Sequence, residues 1–263
     1  MNVLFFVTVR FSSSRLPGKC LLEIDGISIL QHLVERLRLA NFEPIICTSL
    51  DPTDDEIVAL ARVLELNFYR GSLQNKIERW ADCASHFGAE LVHILDADDP
   101  FVDVEEISAS IRMAQELDLD LLRTSRRSDS GFASVGMTIK TQFLQNLKNR
   151  VKKLRSDNLD VIPWELLLTN KDRVKELPDN YILPHENFNL RLTLDYPEDF
   201  QVISKVIQAL GNTASRKSIE EFLYDNPKVS AFNASRTSDF LNNKGILLKS
   251  NFDLGTGAAN APR

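Results

Sequence analysis

Cysteine is scarce in this chain of 263 residues: Cys20, Cys47 and Cys83 are the only three, and none forms a Cys-x-x-Cys pair. That pattern argues against a disulfide framework or a zinc site and makes a reducing cytoplasm the expected compartment. Long apolar runs are missing too. The run at residues 3–7 is too short for a signal-peptide core, and no stretch approaches the about 20 residues of a membrane span, so no membrane role is expected. Positive charge is in deficit, with 31 Lys and Arg against 37 Asp and Glu, a formal charge of −6 and an isoelectric point near 5.4. A generic nucleic-acid surface needs the opposite balance. No GxxxxGK[ST], GxGxxG or GxSxG occurs, which leaves a Walker loop, a dinucleotide-binding fingerprint and a serine-hydrolase elbow without support. The four histidines, at 32, 86, 93 and 185, are scattered.

What is present is the composition of an ordinary globular protein, 43% hydrophobic and 26% charged. Apolar runs at 3–7, 44–48, 67–69, 91–95 and 119–122 alternate with helical patterns at 29–40, 54–64, 75–86 and 104–117. Strands alternating with helices of this length predict βαβ units and a parallel sheet covered on both faces. After residue 130 the rhythm loosens. Strands are predicted at 132–139, 173–177 and 190–194, and helices at 142–153, 163–169, 197–210 and 218–224. The expected fold is a three-layer α/β/α, Rossmann-like, mostly parallel mixed sheet. It forms one domain over 1–241, with an inserted sub-region at 130–185 and a tail at 242–263.

Two features concentrate charge. The first is "TVRFSSSRLPGK", residues 8–19, directly after the first predicted strand. A donor-rich loop there lies at the carboxyl edge of the sheet, where ligands bind in such folds. Backbone N–H groups and serine hydroxyls suit phosphate oxygens, and Arg10, Arg15 and Lys19 add charge. A plain Pro17-Gly18 bend is the alternative. The second feature is the cluster Asp96, Asp98, Asp99 and Asp103 after the strand at 91–95. Adjacent carboxylates repel unless a cation joins them, and hard oxygen ligands suit Mg²⁺. The competing reading makes Asp99-Pro100 a turn and Asp103 a helix cap. Asp195, after the predicted strand 190–194, has capping-box spacing to Glu198 and reads on residues alone as a cap of the next helix.

The stretch "VRFSSSRLPGKCLLEIDG" resembles the N-terminal signature of CTP-dependent sugar nucleotidyltransferases. These are the acylneuraminate and deoxy-octulosonate cytidylyltransferases, and above all the spore-coat-polysaccharide type. "RGSLQNKIERW" (70–80), "DADDPFVD" (96–103), "LRLTLDYPEDF" (190–200) and "SIEEFLYDNPKVSAFN" (218–233) are similar to later family segments, in the same order. The likeness spans about residues 1–233. It implies transfer of CMP from CTP to a sugar hydroxyl, an acidic 2-keto sugar being favoured, with release of pyrophosphate and use in surface glycan synthesis. By resemblance, Asp98 and Asp195 hold Mg²⁺ while Arg15 and Lys19 cover the departing pyrophosphate. Arg10, Ser13, Ser14, Arg70, Gly71 and Ser72 join them around the nucleotide. A homodimer paired through the region matching 130–185 is a further implication. A different acceptor or base, or a nucleotide-binding protein without turnover, stays open.

Four departures stand out. Ser12 takes the place of a family glycine, and Asn75 that of an aspartate. Thr138 and Lys140 stand where the spore-coat type tends to carry Asp and Glu, and the family's Arg-Glu-His-Val-Thr-Pro stretch is barely visible around 157–167. Lys140 is read as a surface lysine and the basic run 148–155 as a solvated helix face. His185 is expected near the acceptor side.

Overall fold

The computed structural model describes residues 2–123, 133–151, 173–178, 190–240 and 242. The predicted helix at 163–169, the 157–167 stretch, His185 and the tail beyond 242 lie outside them. Strand β1 (Val3–Thr8) leads through the charged loop and a hairpin, β2 (Glu23–Ile24) and β3 (Ile27–Ser28), into α1 (Ile29–Leu39). Then follow β4 (Pro44–Ser49), α2 (Asp55–Val63), β5 (Phe68–Gly71), α3 (Lys76–His86), β6 (Leu91–Asp96) and α4 (Val104–Glu116). Next come β7 (Leu121–Arg123), β8 (Met137–Lys140), α5 (Thr141–Val151) and β9 (Val174–Glu176), and finally α6 (Pro197–Leu210), α7 (Arg216–Asp225) and α8 (Pro227–Ser230).

Seven strands form one sheet in the order β5-β4-β1-β6-β8-β7-β9. β8 runs antiparallel to β6 and β7, and the other pairs are parallel. Its mostly parallel strands are buried on both faces, as the apolar runs require. Alternation along β1 and β4 sends Phe6, Ile45 and Cys47 toward Ile77, Trp80 and Leu144 of α3 and α5. Val7 and Ile46 face Leu33, Leu37 and Ile57 of α1 and α2. A third cluster packs Leu190, Leu192 and Leu194 against Val202, Val206 and Leu223 of α6 and α7. The three-layer α/β/α reading therefore holds.

One predicted strand is not one. Residues 190–194 run without a sheet partner. The alternation arises because both sides are covered: the leucines fill the third cluster, while Arg191, Thr193 and Asp195 are buried toward the carboxyl edge. Bonds from the Leu194 amide (2.8 Å) and Thr193 Oγ1 (3.5 Å) to the Asp98 carbonyl tie the segment to the loop after β6. Two other edges move for local reasons. Asp118 closes α4 at a φ of 49°, so β7 starts later than predicted. Gly136, at a φ of 77°, passes so close to β6 that β8 begins only after it. A Cβ there would sit 2.1 Å from the Ile94 carbonyl oxygen. Gly136→Ala is expected to cost about 3 kcal/mol or more in urea unfolding, from left-handed strain plus overpacking.

Candidate active site

Register aligns Thr8 of β1 with Asp96 of β6, and Ser49 of β4 with Gly71 of β5, so these strands end on one edge. β1 connects to β4 on one side and is flanked by β6 on the other. The chain reverses direction here, and a crevice opens at such a switch point. Loop 9–18 and the turn after β6 meet at this edge, where Lys19 reaches Asp98.

The loop folds around one carbonyl. Ser13 and Gly18 both donate their amides to the Phe11 oxygen, each at 2.9 Å. Gly18 is left-handed at 66°, and a Cβ on it would meet the Phe11 ring at 3.0 Å. The Phe11 amide in turn donates to Asp54 Oδ1 at 2.7 Å. Asp54 is fully buried, and its Oδ2 accepts from Thr48 Oγ1 and the Ser49 amide, which anchors the loop to the end of β4. Gly18 then starts a helical turn, Lys19–Leu21, that buries Lys19.

Lys19 Nζ donates to Asp98 Oδ2 and, at 2.9 Å, to Asp195 Oδ1. Arg15 Nη2 meets the same Asp195 oxygen at 2.5 Å. Two carboxylates from separate segments thus converge on one ammonium, with a guanidinium alongside. Burial works against the Lys19 charge, but Asp98 and Asp195 outweigh it and hold the ammonium well above its usual range. The carboxyls move in opposite directions. Burial raises Asp98, and the Asp96 and Asp195 charges add to this against Lys19. Burial alone would also raise Asp195, but Lys19 and Arg15 overcome it and hold that carboxyl below the ordinary range. Asp99 is raised well above it, by burial first and then by Asp98 and Asp96.

Arg10, Arg15, Ser13, Ser14, Lys19, Asp98 and Asp195 all belong to this edge. Arg10 Nη1 crosses to the Leu73 carbonyl at 3.1 Å, joining the first loop to the one after β5. Arg70 turns away from the crevice. Its Nε, Nη1 and Nη2 go to the Ser49 carbonyl (2.8 Å), Asp55 (2.6 Å) and the Asp51 carbonyl (2.8 Å), so it braces the β4–α2 loop. Gly71 lets α3 approach: a Cβ would meet Arg79 Cγ and Tyr69 Cε1 at 3.0 Å. Ser72 Oγ accepts from the Asn75 amide, and Asn75 Oδ1 caps α3 by accepting from Glu78 N at 2.9 Å, work an aspartate would do equally. Ser12 is not among the residues at positive φ, so a glycine is not required there for its conformation.

Asp103 caps α4 as read, accepting from the amides of Glu105 and Glu106. Asp195 does not cap α6. Asp199 Oδ2 takes the amides of Asp195 and Tyr196, both at 2.9 Å, and the Asp195 carboxylate is left to the three cations around it. Thr138 is buried on β8 and bonds His93 at 2.9 Å, whereas Lys140 pairs with Asp118 at the opposite end of β6 from Asp96. Neither faces the crevice. Sequence reading missed Asp54, Arg191, Asp199 and the Lys76–Asp96 pair (2.5 Å) beside the acidic turn. The four-residue spacing of Arg191, Asp195 and Asp199 was the available signal.

Among the described residues no group of three or more His, Cys, Asp or Glu side chains is poised on a metal, and no helix is long and apolar enough to cross a membrane. Mg²⁺ commonly takes only one or two protein carboxylates, with phosphate oxygens and water completing its shell. Asp98 and Asp195, already gathered on one cation, fit that donor set.

The architecture is Rossmann-like: an open, mostly parallel sheet with cations and paired carboxylates gathered beyond its strand ends, where such folds bind ligands. Residues 4–206 match the family described as Cytidylyltransferase, and the chain belongs to that family. The chain is 25% identical over 239 residues to an uncharacterized protein of Methanocaldococcus jannaschii, covering 89% of this chain and 96% of that one. It is 25% identical over 221 residues to the spore coat polysaccharide biosynthesis protein SpsF of Bacillus subtilis, covering 80% and 88%. A 3-deoxy-manno-octulosonate cytidylyltransferase of Solibacter usitatus is 32% identical over 113 residues, 42% of this chain and 44% of that protein. In fold, a cytidylyltransferase from Leptospira borgpetersenii superposes with a TM-score of 0.76 at 22% identity, covering 88% and 97%.

Proposed function

We propose that the protein transfers CMP from CTP to a hydroxyl of an acidic 2-keto sugar, releases pyrophosphate, and works in the cytoplasm on a precursor of a surface glycan. The observation that carries the reading is the convergence of Asp98 and Asp195 on Lys19, with Arg15 alongside. Direct displacement at phosphorus asks the protein for positioning and charge neutralisation rather than a covalent nucleophile. Lys19 and Arg15 present fixed positive charge to phosphate oxygens. The loop around Phe11 fixes where they stand. Mg²⁺ would be held by Asp98 and Asp195 and, when bound, supplies neutralisation of the triphosphate charge. The acceptor class rests on what the relatives' names state, a deoxy-octulosonate and a spore-coat polysaccharide. Pairing as a homodimer belongs to the same reading.

The test is pyrophosphate release with each of the four NTPs, Mg²⁺, and a panel of 2-keto acid and neutral sugars. Turnover is expected with CTP and an acidic sugar. Turnover with another base or only neutral sugars would redirect the reading, and none at all with any pair would defeat it.

A further inference from the structure

Resting on that reading, we infer that Arg191 and Asn233 are positioning residues that aim one oxygen of Asp195 into the crevice. A carboxylate has two oxygens, and fixing one sets the direction of the other. Asp195 Oδ2 accepts from Arg191 Nη2 at 2.9 Å, while Oδ1 faces Arg15 and Lys19. Arg191 is itself locked. Its side chain has no exposed surface, its Nε donates to Asp199 Oδ1 at 2.9 Å, and its guanidinium carbon stands 5.4 Å and 5.2 Å from the ring centroids of Tyr196 and Phe240. Asp199 closes the frame from the other side through the amides of Asp195 and Tyr196, so the Asp195 main chain and carboxylate are held by one group of residues.

Asn233 ties this frame shut. Its Nδ2 donates to Asp199 Oδ1 at 2.9 Å and to the Arg191 carbonyl at 3.0 Å, and the residue is buried. It lies beyond α8, past residue 206 where the family match ends. Arg236 fastens the same segment by bonding Glu198 and Asp239, each at 2.7 Å, 5.0 Å from the Tyr196 centroid. A buried ion pair is weak evidence of stabilisation, because an apolar set of equal volume often does as well. Orientation is what this one adds: a fork that grips two carboxylates at fixed angles. The C-terminal segment is therefore part of the reacting edge.

The experiment compares wild type, Asn233→Ala, Arg191→Lys and Asp195→Asn. Folding is checked by thermal melts. Mn²⁺ affinity is read by electron paramagnetic resonance on the CTP-saturated protein, and kcat and KM by pyrophosphate release. Asn233→Ala and Arg191→Lys, which keeps the charge and loses the fork, are expected to weaken Mn²⁺ and lower kcat by about 10–100-fold, as loss of an orienting partner does. KM for CTP should stay within about threefold, since uniform binding is untouched. A folded Asn233→Ala with wild-type Mn²⁺ affinity and kcat overturns the inference, as does a loss confined to KM. Equal Mn²⁺ affinity in wild type and Asp195→Asn overturns it as well. If Arg191→Lys fails to fold, Asn233→Ala decides. Wild type that binds Mn²⁺ but never releases pyrophosphate defeats the proposed reaction, while the Mn²⁺ comparison still reads the frame.

Discussion

Asp98→Asn and Asp195→Asn are expected to lower pyrophosphate release alike, by on the order of 10³-fold or more, while changing stability by very different amounts. Either change removes half of a carboxylate pair that gathers Lys19 and Arg15 at the edge proposed to hold the triphosphate. The folding consequences differ because the surroundings differ. Asp195 is the common counter-ion of Arg15, Lys19 and Arg191, and Lys19 and Arg15 hold its carboxyl ionised against burial. An amide there leaves buried positive charge short of a partner. Removing one member of a buried pair costs about 3–5 kcal/mol, and the lower end applies because Lys19 keeps Asp98 and Arg191 keeps Asp199. Asp98 sits on the other side of that balance. Burial and the neighbouring Asp96 and Asp195 charges make its ionised form unwelcome in the folded protein. Neutralising it relieves that repulsion, and Lys19 still has Asp195. Its stability change should lie within about 1 kcal/mol of zero, the ordinary range away from an uncompensated buried charge. Urea midpoints at pH 7 measure the contrast. Equal, large destabilisation by both substitutions, or unchanged turnover in either, would sink this account.

The strands at the centre of the sheet were legible because a parallel strand buried on both faces leaves a continuous apolar run, as in residues 3–7 and 91–95. The same logic misled at 190–194, where burial on two sides mimicked the alternation of a strand while the backbone found no partner. The β2–β3 hairpin went unread although its turn, Asp25-Gly26, carries the pair that suits two left-handed residues, with φ values of 53° and 81°. At the candidate site, local charge singled out Arg15, Lys19 and Asp98 and the motif resemblance added Asp195, and the fold brings these four together. Direction was not legible. Arg70 looks as cationic in the sequence as Arg15, yet its fork closes on the Ser49 and Asp51 carbonyls. Partners far apart in the chain were not legible either. Asn233 meets Asp199 and Arg191 across 34 and 42 residues, and although it ends the family-like segment 218–233, nothing there shows which partners it reaches.

The second large effect is on acid stability and comes from His93 in the middle of β6. Its ring is fully buried, bonded by Nδ1 to Thr138 Oγ1 and by Nε2 to the Val135 carbonyl, and Thr138 also meets Ser110 Oγ at 2.7 Å. Burial pushes the imidazole down to about 4, against the pull of the Val135 carbonyl. The unfolded chain binds this proton near pH 6.5 and the folded one only near pH 4, so the unfolded state holds more protons in between. Stability from this group is therefore full above pH 6.5 and falls as pH drops to about 4, by about 3 kcal/mol in total at 1.36 kcal/mol per unit. Asp98 and Asp99 have the opposite sign. Their raised carboxyls make the folded state the better proton binder above pH 3.8, so acid favours folding there. The slope for the whole protein mixes these, and the His93 part must be read by difference. His93→Gln supplies an amide that can still reach Thr138 and the Val135 carbonyl but takes up no proton. It is expected to be less stable than wild type at pH 7, with the gap closing by about 3 kcal/mol between pH 7 and pH 4 in urea titrations. Parallel curves across that range would show that His93 titrates alike in the folded and unfolded chain, and that its place beside β8 does not keep it neutral.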